Sequence, residues 1–247
     1  MGLNPRASLE PVLEWRRRAG RAARRLRDRE RTALPDENDL LRAFGGRHGR
    51  IDEALSELAG GGVAIVAAAG QGEMRAAYAA RPEWRDRLFE AASRILEHRF
   101  DLLGSGDRGL GARLPWHADF KSGHAWNRDV PSEELFAQVA KEFGRGRDVK
   151  VPWELSRFQH APLLAQAAWL APDRRYYDEF RSQVEDWITA NPVGRGVNWG
   201  CTMDVALRAA SLATAATLFR DELRADSGFA SLLWRALLAH GRFVVTH

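Results

Sequence analysis

With 247 residues, 45% of them hydrophobic, the chain is long enough to bury a real core in one large or two modest domains. Its net charge of +4 is uneven, because residues 1–31 carry ten Arg against four acidic residues while the remainder holds 27 basic and 29 acidic ones; arginine this widespread, with only three Lys in the whole chain, argues against a nucleic-acid footprint. The single cysteine, Cys201, excludes an internal disulfide framework, no apolar run is long enough to span a membrane, and the start MGLNPRASLEPVLEWRRRAG lacks the apolar core of a secretory signal, which places the chain as given in the cytoplasm.

Residues 8–31 read as a charged helix with a thin apolar stripe of Leu9, Val12, Leu13, Trp15 and Leu26, better suited to a solvated or partner-docked face than to a membrane surface. Residues 1–34 therefore form a first unit, an Arg-rich N-terminal helix ended by Pro35. A second unit of helices and loops covers 35–131. Asp36 or Asn38 caps a short helix through Phe44, and Asp52 caps another to Leu58. The stretch GGGVAIVAAAGQGEM at 60–74 has two of the glycines of a dinucleotide fingerprint but not the rest of it, so a short strand or buried turn is preferred. Residues 83–100 form an amphipathic helix with Trp84, Leu88, Ala91, Ala92, Ile95 and Phe100 near one side. The glycine-rich stretch 101–135 follows as an ordered loop or a few short strands, since Trp116, Phe120 and Trp126 are costly to leave in water. His117, Asp119 and His124 have ligand types that suit zinc, but no third His or Cys ligand is fixed nearby; packing is the preferred role, and neither metal nor cofactor is expected.

The third unit, 132–247, is helical throughout. Ser132, Glu134 and Leu135 mark a helix start, and Gly144 or Gly146 its end. In VPWELSRFQHAPLLAQAAWL, Pro152 suits a first helical turn and Leu163, Leu164 and Trp169 face the core. Glu154 and Arg157 are three apart and meet on one face beside Trp153, either as an ordinary surface ion pair or as the polar wall of a groove. After Pro172-Asp173, the residues Tyr176, Phe180, Val184, Trp187 and Ile188 repeat at helical spacing, and that helix stops at Asn191-Pro192. A further helix starts near Gly200 with Met203, Ala206, Leu207, Ala210 and Leu218 as its buried stripe, and the two make an αα-hairpin. The loop between them places Asn198 and Trp199 at a helix mouth where no core requires them.

Four strings, LLGSG at 102–106, PWHADFKSGHAW at 115–126, VPWELSRFQH at 151–160 and NPVGRGVNWGCTMDVALRAA at 191–210, resemble in order and spacing the N-terminal region of heparinase II/III-like polysaccharide lyases, over roughly residues 85–243. The resemblance implies an all-α fold: an incomplete (α/α) toroid of antiparallel helix hairpins around a cleft, here with an irregular N-terminal part that includes a short strand. Full-length relatives continue into more helices and a β-sandwich, and many are periplasmic or secreted. It also implies a uronic-acid-containing polysaccharide partner, such as a glycosaminoglycan or alginate, cleaved by β-elimination. That reaction needs a group to neutralise the uronate, a base for the C5 proton and an acid for the departing O4. The family supplies these with Asn, Tyr and His, and its Asn-His pair follows the segment resembling HGRFVVTH, beyond the last residue here. Tyr176 and Tyr177 sit on a packing face, so the catalytic groups are not expected in this chain.

Within that resemblance the substrate-binding candidates are Trp153, Glu154, Arg157, Asn198, Trp199 and Arg208. Indoles stack on sugar rings, the amide bonds hydroxyls or a carboxylate, and guanidinium forks bind acidic groups. Each has a structural rival: Asn198 as a turn residue, Trp199 as a core plug, and Arg208 as the partner of Asp204 in a buried pair. Two further functions stand beside the lyase: a protein that binds anionic polysaccharide without cutting it, and a toroid-type glycoside hydrolase drawing its carboxylates from Asp119, Glu154 and Asp204. An incomplete ring also implies an apolar edge and self-association through it.

Overall fold

The computed structural model describes residues 33–59, 70–135, 139 and 146–247. The Arg-rich helix read at 8–31, the apolar run at 60–69 and the body of the helix begun at Ser132 lie outside the described residues. Leu34–His247 forms a compact unit, and the fold is all-α: ten α-helices and two small antiparallel strand pairs among the described residues.

Helix α1 (Glu37–Ala43) starts at Asp36, whose side chain accepts from the Asp39 amide at 2.7 Å while Asp39 accepts from the Asp36 amide at 3.2 Å, a reciprocal cap that satisfies two orphan amides. Helix α2 (Ile51–Ala59) begins two residues earlier than read, so Asp52 lies in its first turn rather than capping it. Helices α3 (Gln71–Ala79) and α4 (Pro82–Leu96) follow, the latter opened by proline at its first position. Leu88, Ala92 and Ile95 of α4 are buried as spaced. Trp84, however, is 48% exposed with Arg81 stacked 4.2 Å over its ring, and Phe100 belongs to a strand.

The glycine-rich stretch is two hairpins. Strand β1 (Arg99–Phe100) pairs with β2 (Arg108–Gly109), and β3 (Ala118–Asp119) with β4 (His124–Ala125). Trp116 and Trp126 are buried beneath them, which repays the ordering of so irregular a segment.

Helices α5 (Lys150–Ser156), α6 (Ala161–Leu170), α7 (Arg174–Ala190), α8 (Thr202–Leu218), α9 (Arg220–Ala225) and α10 (Ser227–Thr246) follow, with a 3₁₀ turn at Val197–Trp199. Asp173 caps α7 through the Arg175 amide. The buried face of α7 carries Tyr176, Phe180, Val184 and Trp187 at the expected spacing. Two other expectations are corrected. The αα-hairpin expected of α7 and α8 is not a closely packed pair: α7 packs mainly on α6, and α8 on α6 and α10. Helix α6, APLLAQAAWL, is apolar nearly all round, and its buried alanines let neighbours approach closely, so it becomes the hub. The stripe of α8 is also reversed except at Leu218, which is buried as read. Met203 and Leu207 are exposed, as are Ala206 and Ala210, while Asp204, Val205, Arg208, Leu212 and Ala215 face inward. Charged side chains lead the inward face because partners await them there, a signal that apolar spacing cannot carry.

Candidate functional site

The turn between α7 and α8 is held by amides and indoles. Asn191 donates from Nδ2 to the Trp187 carbonyl at 2.8 Å and accepts at Oδ1 from Asn198 Nδ2 at 2.8 Å. Asn198 also donates to the Trp116 carbonyl at 2.7 Å, tying the turn to the second hairpin. Trp199 Nε1 donates to the Asn191 carbonyl at 3.2 Å. Gly196 has φ +70°, and a Cβ there would lie 2.8 Å from His117 Cε1. Only glycine serves, both for the left-handed backbone and for the close approach.

Helix α5 supplies the second wall. Trp153 Nε1 donates to the Val197 carbonyl at 2.8 Å. Arg157 donates from Nε to Asp204 Oδ1 at 2.6 Å and from Nη1 to Glu154 Oε2. Burial opposes the Arg157 charge, but the two carboxylates outweigh it and hold the guanidinium pKa above its ordinary value. Trp153, Glu154 and Arg157 are half-buried and reach solvent along one rim. Cys201 borders it, its thiol pKa raised by burial and by Asp204.

Behind that rim is a sealed interior. Arg208 donates from Nε to His240 Nε2 at 2.8 Å, from Nη1 to the Ser156 carbonyl at 3.3 Å and from Nη2 to the Asn198 carbonyl at 2.9 Å. Its guanidinium lies 4.2 Å from the Trp187 ring centre and 5.5 Å from that of Trp199, so two indole faces supply part of the charge stabilisation. Burial pulls its pKa down to about 9, which leaves it charged at neutral pH. His240 donates from Nδ1 to the Ala236 carbonyl at 2.7 Å; with a guanidinium N–H on Nε2, the partners fix a neutral ring in one tautomer. Burial, and then the Arg208 charge, push its pKa down to about 3.

The six candidates thus divide. Trp153, Glu154 and Arg157 are partly exposed, whereas Asn198, Trp199 and Arg208 are enclosed. Arg208 and Asp204 are not hydrogen-bonded to each other: Asp204 bridges to Arg157 instead, so two guanidinium groups and two carboxylates balance within one network. Sequence reasoning assigned Ser156 and His240 no role, and read Trp187 and Asn191 only as the apolar face and the end of α7. For His240 the signal was present, since it falls among the buried positions Leu233, Ala236 and Phe243 of α10. His117, Asp119 and His124 do not converge. His117 Nε2 faces the Ala190 carbonyl, and Asp119 takes donors from Ser122 and from the amides of Lys121, Ser122 and Asp148. Among the described residues no cluster of three metal-binding side chains exists, and no helix is long and apolar enough to cross a membrane. Comparison of the chain with protein-family models, curated proteins and solved structures found no match.

Proposed function

We propose that the chain is a toroid-type helical portion of a heparinase II/III-like lyase, forming part of the wall along which a uronic-acid-containing polysaccharide lies. The observation that carries this reading is the joining of the four resembling strings by direct hydrogen bonds. Lys121 Nζ donates to the Leu103 carbonyl, Asn198 reaches the Trp116 carbonyl, Trp153 reaches the Val197 carbonyl, and Arg157 grips Asp204. Segments far apart in sequence that share a resemblance would be expected to interlock in this way if they formed one module. The exposed strip of Met203, Ala206, Leu207 and Ala210 supports the self-association expected of an incomplete ring. Sedimentation of Leu207→Lys beside the parent protein tests it: equal association states count against the strip.

A second reading, binding of anionic polysaccharide without cleavage, is favoured by the state of the titratable groups. His240 is neutral and enclosed. Tyr177 donates to Asp226, and burial with that carboxylate holds its phenol protonated. Neither presents a base at the rim. The hydrolase reading fares worse, since Glu154 and Asp204 flank one guanidinium rather than facing each other across a gap.

Incubation with heparan sulfate or alginate distinguishes these readings. Growth of the unsaturated-uronate absorbance supports lyase activity. Retarded migration in polysaccharide-containing gels, lost in Trp153→Ala and without absorbance change, supports binding alone. No retardation of the folded parent protein and no absorbance would overturn both.

A further inference from the structure

On a different part of the unit, a cleft of about 410 Å³ opens where α2 meets α9 and the facing ends of α8 and α10. Its floor is apolar, built from Leu55, Leu58, Leu223, Ala230 and the indole of Trp234. The guanidinium groups of Arg220 and Arg224 stand at its edge, each side chain half exposed. Asp221 lies 3.9 Å from Arg220, a loose contact, and pairs more closely with Arg224 at 3.0 Å. Thr217 donates its hydroxyl to the Ala213 carbonyl, so it offers lone pairs rather than a proton to the cavity. Asp52 also lines the cleft but lies beside Arg50 at 3.4 Å. Guanidinium groups and hydrocarbon side chains together line the cleft, which makes it amphipathic.

We propose that this cleft binds a medium-chain monocarboxylate, the tail on the leucine and indole floor and the carboxylate at Arg220. Size sets the class. At ~30 Å³ per water-sized group, the volume holds roughly fourteen non-hydrogen atoms, which matches a ten-carbon carboxylate. The site is separate from the Trp153 rim and does not depend on the polysaccharide reading.

Decanoate is the probe, with decanol as its uncharged counterpart, titrated calorimetrically into the intact chain. For a ligand of this size a Kd on the order of 100 μM is expected for decanoate, with decanol weaker. Arg220→Gln, a change at a half-exposed position, is expected to weaken decanoate about fivefold without affecting decanol. Ser56→Trp places an indole in the cleft from an exposed position of α2 and is expected to abolish binding of both, with an unchanged circular dichroism spectrum verifying the fold. The proposal is overturned if the folded parent shows no saturable decanoate binding up to about 1 mM, if Ser56→Trp binds as the parent does, or if decanol matches decanoate and Arg220→Gln is silent.

Discussion

Arg208 directs its guanidinium donors at His240, Ser156 and Asn198 inside the protein, and the atoms that receive them are themselves enclosed. Removing the donor leaves those acceptors dry and unpaired, a larger penalty than the bonds themselves were worth. Arg208→Met is expected to cost about 3 kcal/mol in urea unfolding, and Arg208→Lys to recover only part of it, because a point charge cannot address three directions. His240 makes the same network sensitive to acid. Its folded pKa is depressed to about 3 by burial and Arg208, against about 6.5 in an unfolded chain. The stabilisation is therefore complete above pH 6.5 and is lost as pH falls toward 3, at about 1.4 kcal/mol per pH unit, because the unfolded chain takes up the proton first. Unfolding midpoints of parent and His240→Gln compared at pH 7 and pH 5 should show the flatter dependence in the variant. At Gly196 two costs combine. Gly196→Ala forces a left-handed alanine and drives a methyl into His117, for a loss of about 2 kcal/mol or more. Gly106→Ala, at the same φ but in open space, should lose only about 1 kcal/mol in the same assay.

Among the elements, α8 separates burial from hydrophobicity. Leu207 lies on its outer face and Leu212 in the core. Leu207→Gln should change stability by less than about 0.5 kcal/mol, whereas Leu212→Ala should lose about 2–5 kcal/mol; urea midpoints distinguish them. The face of α7 was legible in the sequence because it is an ordinary apolar stripe against an apolar neighbour, and its end was legible because Asn191-Pro192 forbids continuation. The face of α8 was not, because Asp204 and Arg208 turn inward toward Arg157 and His240, which lie 47 and 32 residues away in the chain. No local pattern reports such partners. The candidate site followed the same division. Glu154 and Arg157, three apart on one helix, were found together as expected. The enclosure of Asn198 and Trp199 arises from Trp116 and Asn191 contacts made across loops, where spacing has no period to read.

At the scale of the molecule, α10 holds α1. Ser231 donates to Glu37, Arg235 to the Pro35 carbonyl and Arg242 to Asp39, contacts separated by 194, 200 and 203 residues of chain. A polypeptide emerging from the ribosome cannot seat Pro35–Asp39 until α10 has been synthesised, so the unit should complete its fold only after α10 has left the exit tunnel. Such distant closure is slow. Nascent chains stalled before residue 227 should be cut by protease near Leu34 and Pro35, and chains in which α10 has fully emerged should resist. The helix that closes the unit therefore also times the end of its vulnerability to proteolysis.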